Sequence, residues 1–148
     1  MYAVIPLLIG LALMLSASAP SDPGNRIAAA NRADGLAAAA LVFHQAAVAY
    51  VQANPSTSGV LPALTLPTGW TATGLVACAS AKVVATYAAV PPTISAPAIA
   101  ASMSRQWGGW PLAGQASGNT LSSPYGAAVA LPCAIPDGVP VIVSQAGG

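Results

Sequence analysis

Residues 25–54 read NRIAAANRADGLAAAALVFHQAAVAYVQAN. This stretch decides the fold. Alanine dominates it, and alanine has the highest helix propensity because it loses no side-chain entropy in a helix. Leu36, Ala40, Phe43, Ala47 and Tyr50 recur at i, i+4, i+7, i+11 and i+14, which places an apolar stripe on one face. Asp22 or Asn25 is expected to cap the start. Asn54-Pro55 is expected to close it, since the residue before proline is pushed out of helical geometry. A continuous helix over these residues is roughly 45 Å long at ~1.5 Å per residue. It cannot bury its stripe against itself, so the later chain must pack on it.

Upstream lies a second apolar stretch. Residues 2–15 (YAVIPLLIGLALML) carry no charged side chain. As a helix, residues 2–19 would span roughly 27 Å, close to a hydrocarbon core of ~30 Å. Three readings compete: an uncleaved membrane anchor over residues 1–19, a cleaved secretory signal, and a buried helix of a soluble protein. Ala17-Ser18-Ala19 has the small-x-small pattern of a cleavage site. Against cleavage, no Lys or Arg precedes the apolar run, and Pro20 would follow the cut. The anchor is the favoured reading. Residues 20–24 (PSDPG) are expected to form a linker, leaving 25–148 as a single α+β domain.

Downstream of Pro55 the chain turns to short extended segments marked off by Gly and Pro. Residues 59–66 hold a short edge strand, with Pro62 excluding a central one. Pro67-Thr68-Gly69 is a turn. Leu75–Ser80 and Val83–Val90 read as a hairpin about Ala81-Lys82. Ser95–Arg105 reads as a short helix with Pro97 in its first turn. Trp107–Gly118 reads as an ordered, Gly-rich loop. Tyr125–Leu131 and Val139–Ser144 are two last strands around the turn Ile135-Pro136-Asp137-Gly138. The expected architecture is α+β: an N-terminal apolar anchor helix, a long helix, then a small antiparallel sheet with one short helix.

Composition narrows the function. Charged residues make up 5% of the 148 residues, against 55% hydrophobic, and the net charge is +1. No basic patch is available for nucleic acid. A surface this poor in charge suits a protein covered by partners or held at a membrane.

Catalytic material is scarce. There is no Glu, and the only Asp residues are Asp22, Asp34 and Asp137. A paired-carboxylate site is therefore not expected. His44 is the only histidine and has no carboxylate at i±3 or i±4, so it reads as a surface or partly buried helix position. Asp34 and Arg32 read as solvated helix positions. Asp137 is expected to accept bonds from the amides of its own turn. No G-x-S-x-G elbow is present, and Gly108-Gly109 and Gly114 make no phosphate loop. Neither a cofactor nor a metal ion is expected, and the chain reads as non-enzymatic.

Cys78 and Cys133 are the only cysteines. In an exported domain such a pair suggests a disulfide, and the alternative is two buried free thiols. Trp107 and Trp110 flank Gly108-Gly109. They read either as volume for a thin, Ala-rich core or as an exposed contact for a partner. Trp70 is read in the same way, with the core favoured.

Residues 118–144 read GNTLSSPYGAAVALPCAIPDGVPVIVS. Leu121, Pro124 and Gly126 give L-x-x-P-x-G; Leu131, Pro132, Ile135, Pro136 and Gly138 give L-P-x-x-I-P-x-G. With the apolar N-terminus and the helix, this half resembles the PilM family of small proteins of type IVB (thin) pili in conjugation systems. The resemblance covers most of the chain. It implies a component of pilus biogenesis at the inner membrane, with its domain in the periplasm. Its expected partners are other pilus assembly proteins, the membrane through the N-terminal helix, and a second copy in a homo-oligomer. An unrelated, larger actin-like pilus protein shares the family's name, but this chain is too short for it and lacks its phosphate loop. Arg26 and Arg32 by themselves favour a cytoplasmic domain through the positive-inside tendency. The cysteine pair and the resemblance outweigh them.

Two alternatives remain. A minor pilin or pseudopilin also joins an apolar helix to a sheet, but a prepilin usually carries a basic leader and an early Glu, and neither is present. A secreted periplasmic binding or hydrolase module would need convergent titratable groups.

Overall fold

A computed structural model describes residues 23–88, 94–107, 112–123 and 128–147. The elements run α1 (Pro23–Ala53), β1 (Gly59–Val60), β2 (Leu75–Ser80), β3 (Val83–Ala88), α2 (Ala96–Trp107), β4 (Leu112–Ser117), β5 (Thr120–Ser122), β6 (Ala128–Ala130) and β7 (Pro140–Gln145). The class is α+β as expected, with a long apolar helix followed by an antiparallel sheet and one short helix. The expected anchor over 1–19 lies outside the described residues.

α1 begins at Pro23, earlier than the composition suggests. Proline fits a first turn because its missing N–H is one the helix leaves unbonded anyway. Pro23 and Gly24 therefore belong to the helix and not to a linker, and Asn25 lies inside the helix instead of capping it. Asp22 lies outside the described residues. At the other end, the backbone N–H and the side-chain amide of Asn54 both donate to Tyr50 O, each at 2.9 Å, and Pro55 follows.

From Gly24 to Arg32 every side chain is exposed. From Ala33 onward one face is buried: Ala33, Ala37, Ala40, Phe43, His44, Ala47 and Val51. The expected stripe is turned from this face, so that its ends, Leu36 and Tyr50, are only half-buried. Four of the seven buried positions on this face are alanines. The volume the alanines lack comes from α2, whose Ile99 and Met103 are fully buried between α1 and the sheet. By length and composition α1 is apolar enough to cross a membrane. Its packing from Ala33 onward instead commits that face to a protein core.

The seven strands lie in the order β1-β2-β3-β7-β4-β5-β6, all antiparallel. Two three-stranded meanders are thus joined by β7 alone. The β2–β3 hairpin forms as expected, with Ala81 and Lys82 at φ 49° and 67° in its two-residue turn. A primed turn needs positive φ at both central residues and matches the strand twist. Residues 89–90, expected in the same strand, lie outside the described residues.

The expected loop over 107–118 is in large part a strand. β4 runs along β7 from Leu112↔Val143 to Gln115↔Pro140. Its sequence, LAGQAS, has little β propensity, so pairing with the Val/Ile-rich β7 imposes the conformation. The turn Gly118-Asn119 leads into β5, a strand with no counterpart in the sequence reading. β6 falls within the expected strand over 125–131, and β7 overlaps the expected one over 139–144, running one residue further to Gln145.

The two faces of the sheet are covered differently. One carries α1 and α2 over Ala77, Ala79, Val84, Ala88, Ala113 and Ile142. The other is covered by the crossover from β6 back to β7, residues 131–139. Leu131, Ile135, Cys133 and Val139 of this strap pack on Ala85, Ala116, Leu121, Val141 and Val143.

Candidate functional site

His44 is the one buried imidazole, 2% exposed, and it sits where α1 crosses the middle of the sheet. Its Nδ1 lies 2.9 Å from Thr86 Oγ1 on β3, and its Nε2 lies 2.7 Å from Ser144 Oγ on β7. The expectation of a surface or partly buried position is corrected: the side chain occupies the apolar face because two strand hydroxyls satisfy both its nitrogens. Burial pushes its pKa down to about 4, so the ring is neutral at physiological pH. Thr86 and Ser144 carry no charge that would stabilise an imidazolium. That makes the ring a weak general base toward Ser144, in spite of the short contact. An open cavity of about 240 Å³ adjoins this point, lined by Leu41, Gln45, Val48, Gln52, His44 and Ser144 among others.

Asp34 is not a merely solvated position. Its Oδ1 accepts a hydrogen bond from the buried Ser102 hydroxyl and pairs with Arg105 Nη2 at 3.3 Å. Its backbone oxygen accepts from Gln106 Nε2 at 3.1 Å. One residue of α1 thereby receives three side chains from α2. Arg32 is exposed, as expected. Asp137 also differs from expectation: its Oδ1 accepts the amide of Gly118 at 2.8 Å, so the turn before β7 is tied to the β4–β5 turn.

Cys78 and Cys133 form a disulfide, with a Cα–Cα distance of 6.4 Å. Cys78 is fully buried on β2, and Cys133 lies in the strap. Trp107 ends α2, and Trp110 lies outside the described residues. Trp70, expected in the core, is instead 41% exposed. It stands in the long segment between β1 and β2, where Leu64, Leu66 and Ala72 take the core positions instead. That segment borders an apolar groove of about 290 Å³ that includes Phe43, Val60, Leu64 and Leu75. Among the described residues, no three His, Cys, Asp or Glu side chains cluster as a metal site.

Every residue from Gly24 to Arg32 is exposed, Ile27 at 63%. Sequence reasoning missed the His44 bridge because Thr86 and Ser144 are far away in the chain. Only the polar positions on inward-facing strand sites hinted at it.

A family model described as PilM matches residues 9–143. No curated protein and no solved structure matches the chain.

Proposed function

The chain belongs to the PilM family, and from that premise we propose that it is a non-enzymatic, membrane-anchored component of type IVB pilus biogenesis that acts through protein–protein contacts. The observation that carries this reading is the extent of the match, which takes in half of the apolar N-terminal run, both helices and nearly all of the sheet. The scarcity of titratable groups supports it, as does a surface that relies on partners in place of charge. Residues 1–19 hold the chain in the inner membrane, α1 leads away from the bilayer, and the sheet domain works in the periplasm. The disulfide supports that compartment, because cysteine pairs persist where the environment is oxidising. Other pilus assembly proteins are its partners.

Deleting the gene should abolish thin pili, and the full-length chain supplied in trans should restore them. The protein should fractionate with inner membranes, and an impermeant thiol reagent added to spheroplasts under reducing conditions should label Cys133. Normal piliation in the deletion strain would overturn the pilus reading; a Cys133 that stays shielded would overturn the periplasmic one.

A second reading, a minor pilin-like subunit of the filament, is favoured by one observation. A long apolar helix precedes an antiparallel sheet, the order of elements expected of such a subunit. Recovery of the protein with sheared pili instead of inner membranes would favour it.

A further inference from the structure

The two ends of the sheet are protected to very different degrees. At one end β1 is two residues long and is followed by Pro62, which has no N–H to offer. The segment after it folds back on the core through Leu64, Leu66 and Ala72. At the other end β6 pairs only with β5, and no other described element covers its outer side.

The bonding phase of β6 follows from its neighbours. Ser117 and Thr120 flank the two-residue turn Gly118-Asn119, so they bond to each other. Leu121 therefore turns its N–H and C=O the other way, toward Val129. Leu131 N donating to Asn119 O at 3.0 Å keeps the same phase. The N–H and C=O of Ala128 and Ala130 consequently face outward. Both residues are exposed, and their side chains are single methyl groups.

We infer that this edge is a self-association surface at which a second copy of the chain adds its own β6. The strand reads Ala-Val-Ala in both directions. An antiparallel two-fold centred on Val129 therefore sets Ala128 against Ala130 of the second copy, and Ala130 against Ala128. Four outward backbone groups on each copy are satisfied at once, in an isologous contact. Charge permits it: residues 106–136 contain no charged side chain, so two such edges meet without repulsion. The strand also carries none of the lysines or prolines that usually block edge pairing. Three paired residues bury far less than the ~1,000 Å² of an independent interface. The dimer therefore depends on local concentration, which an anchor shared in one membrane supplies. The inference rests on the membrane anchor of the proposed function, and not on its pilus role.

The experiment uses the full-length chain in membranes. In a non-hydrogen-bonded antiparallel pair the Cα atoms lie about 4.5 Å apart, close enough for a disulfide. Val129→Cys should cross-link to a dimer under mild oxidation, while Ser56→Cys on an exposed turn should stay monomeric. Adding Ala130→Pro removes an N–H that the fold does not use, and it should abolish the cross-link while circular dichroism stays unchanged. The inference is overturned if Val129→Cys cross-links no faster than Ser56→Cys. It is overturned equally if Ala130→Pro leaves the dimer intact, or if Val129→Cys is captured by a different protein.

Discussion

His44 Nε2 lies 2.7 Å from Ser144 Oγ, a bond between α1 and β7 that closes 100 residues of chain. With the Thr86 contact it pins the long helix at one rotation above the sheet. The ring is neutral in the folded state and takes up a proton near pH 6.5 once unfolded. Between these values the unfolded chain binds more protons, so stability is complete above about pH 6.5 and falls as the pH drops toward 4. The expected loss is about 3 kcal/mol across that window, at about 1.4 kcal/mol per pH unit. Thermal melts from pH 4 to 8 should show this slope, and His44→Gln should flatten it. An equally steep slope in the variant would assign the effect to another group.

Gly114 has no room for a side chain. A Cβ there would sit 2.2 Å from the backbone oxygen of Ser122, which cannot swing aside as a flexible side chain would. Gly114→Ala should cost about 1–3 kcal/mol in urea unfolding, the range for overpacked cores. Gly35→Ala, on an open helix surface, should be neutral to mildly stabilising.

The disulfide closes a separation of 55 residues and fastens the strap to β2. In the chain-entropy account, a loop of that size stabilises by about 4 kcal/mol. Replacing both Cys78 and Cys133 by Ala should lower the melting temperature and raise hydrogen exchange first in residues 131–139. Uniform exchange across the sheet would argue against a local role for the bond.

Asp34 separates a part-buried bond from an exposed one. Removing its carboxylate leaves the Ser102 hydroxyl buried without its acceptor, at a cost of about 1–3 kcal/mol. Removing Arg105 breaks only a solvent-facing ion pair, worth at most about 1 kcal/mol. Asp34→Ala should therefore destabilise clearly more than Arg105→Ala. Comparable losses would mean that the ion pair, and not Ser102, holds α2 to α1.

How far the fold can be read depended on whether the signal was local. The β2–β3 hairpin and α2 are legible because alternation, turn residues and Pro97 lie within each segment. β4 and β5 are not: LAGQAS and TLS become strands through β7 and through each other. The existence of α1 is plain, but its buried side is not, because alanines on every face give no contrast. Of the chemistry, the cysteines stand out by count. The His44 bridge and the Asp34 cluster rest on contacts across 42 to 100 residues, beyond any local pattern.

The position of β7 governs when this molecule can exist at all. β3 borders β7 on one side and β4 borders it on the other, yet β7 is the last strand in chain order. During synthesis, the two meanders before it have no ladder between them, and the hydroxyl of Ser144 is not there to receive His44. A chain emerging from its N-terminus thus has no joined sheet until its last strand is made. Closure of the sheet is therefore timed by completion of the chain and not by the emergence of the long helix.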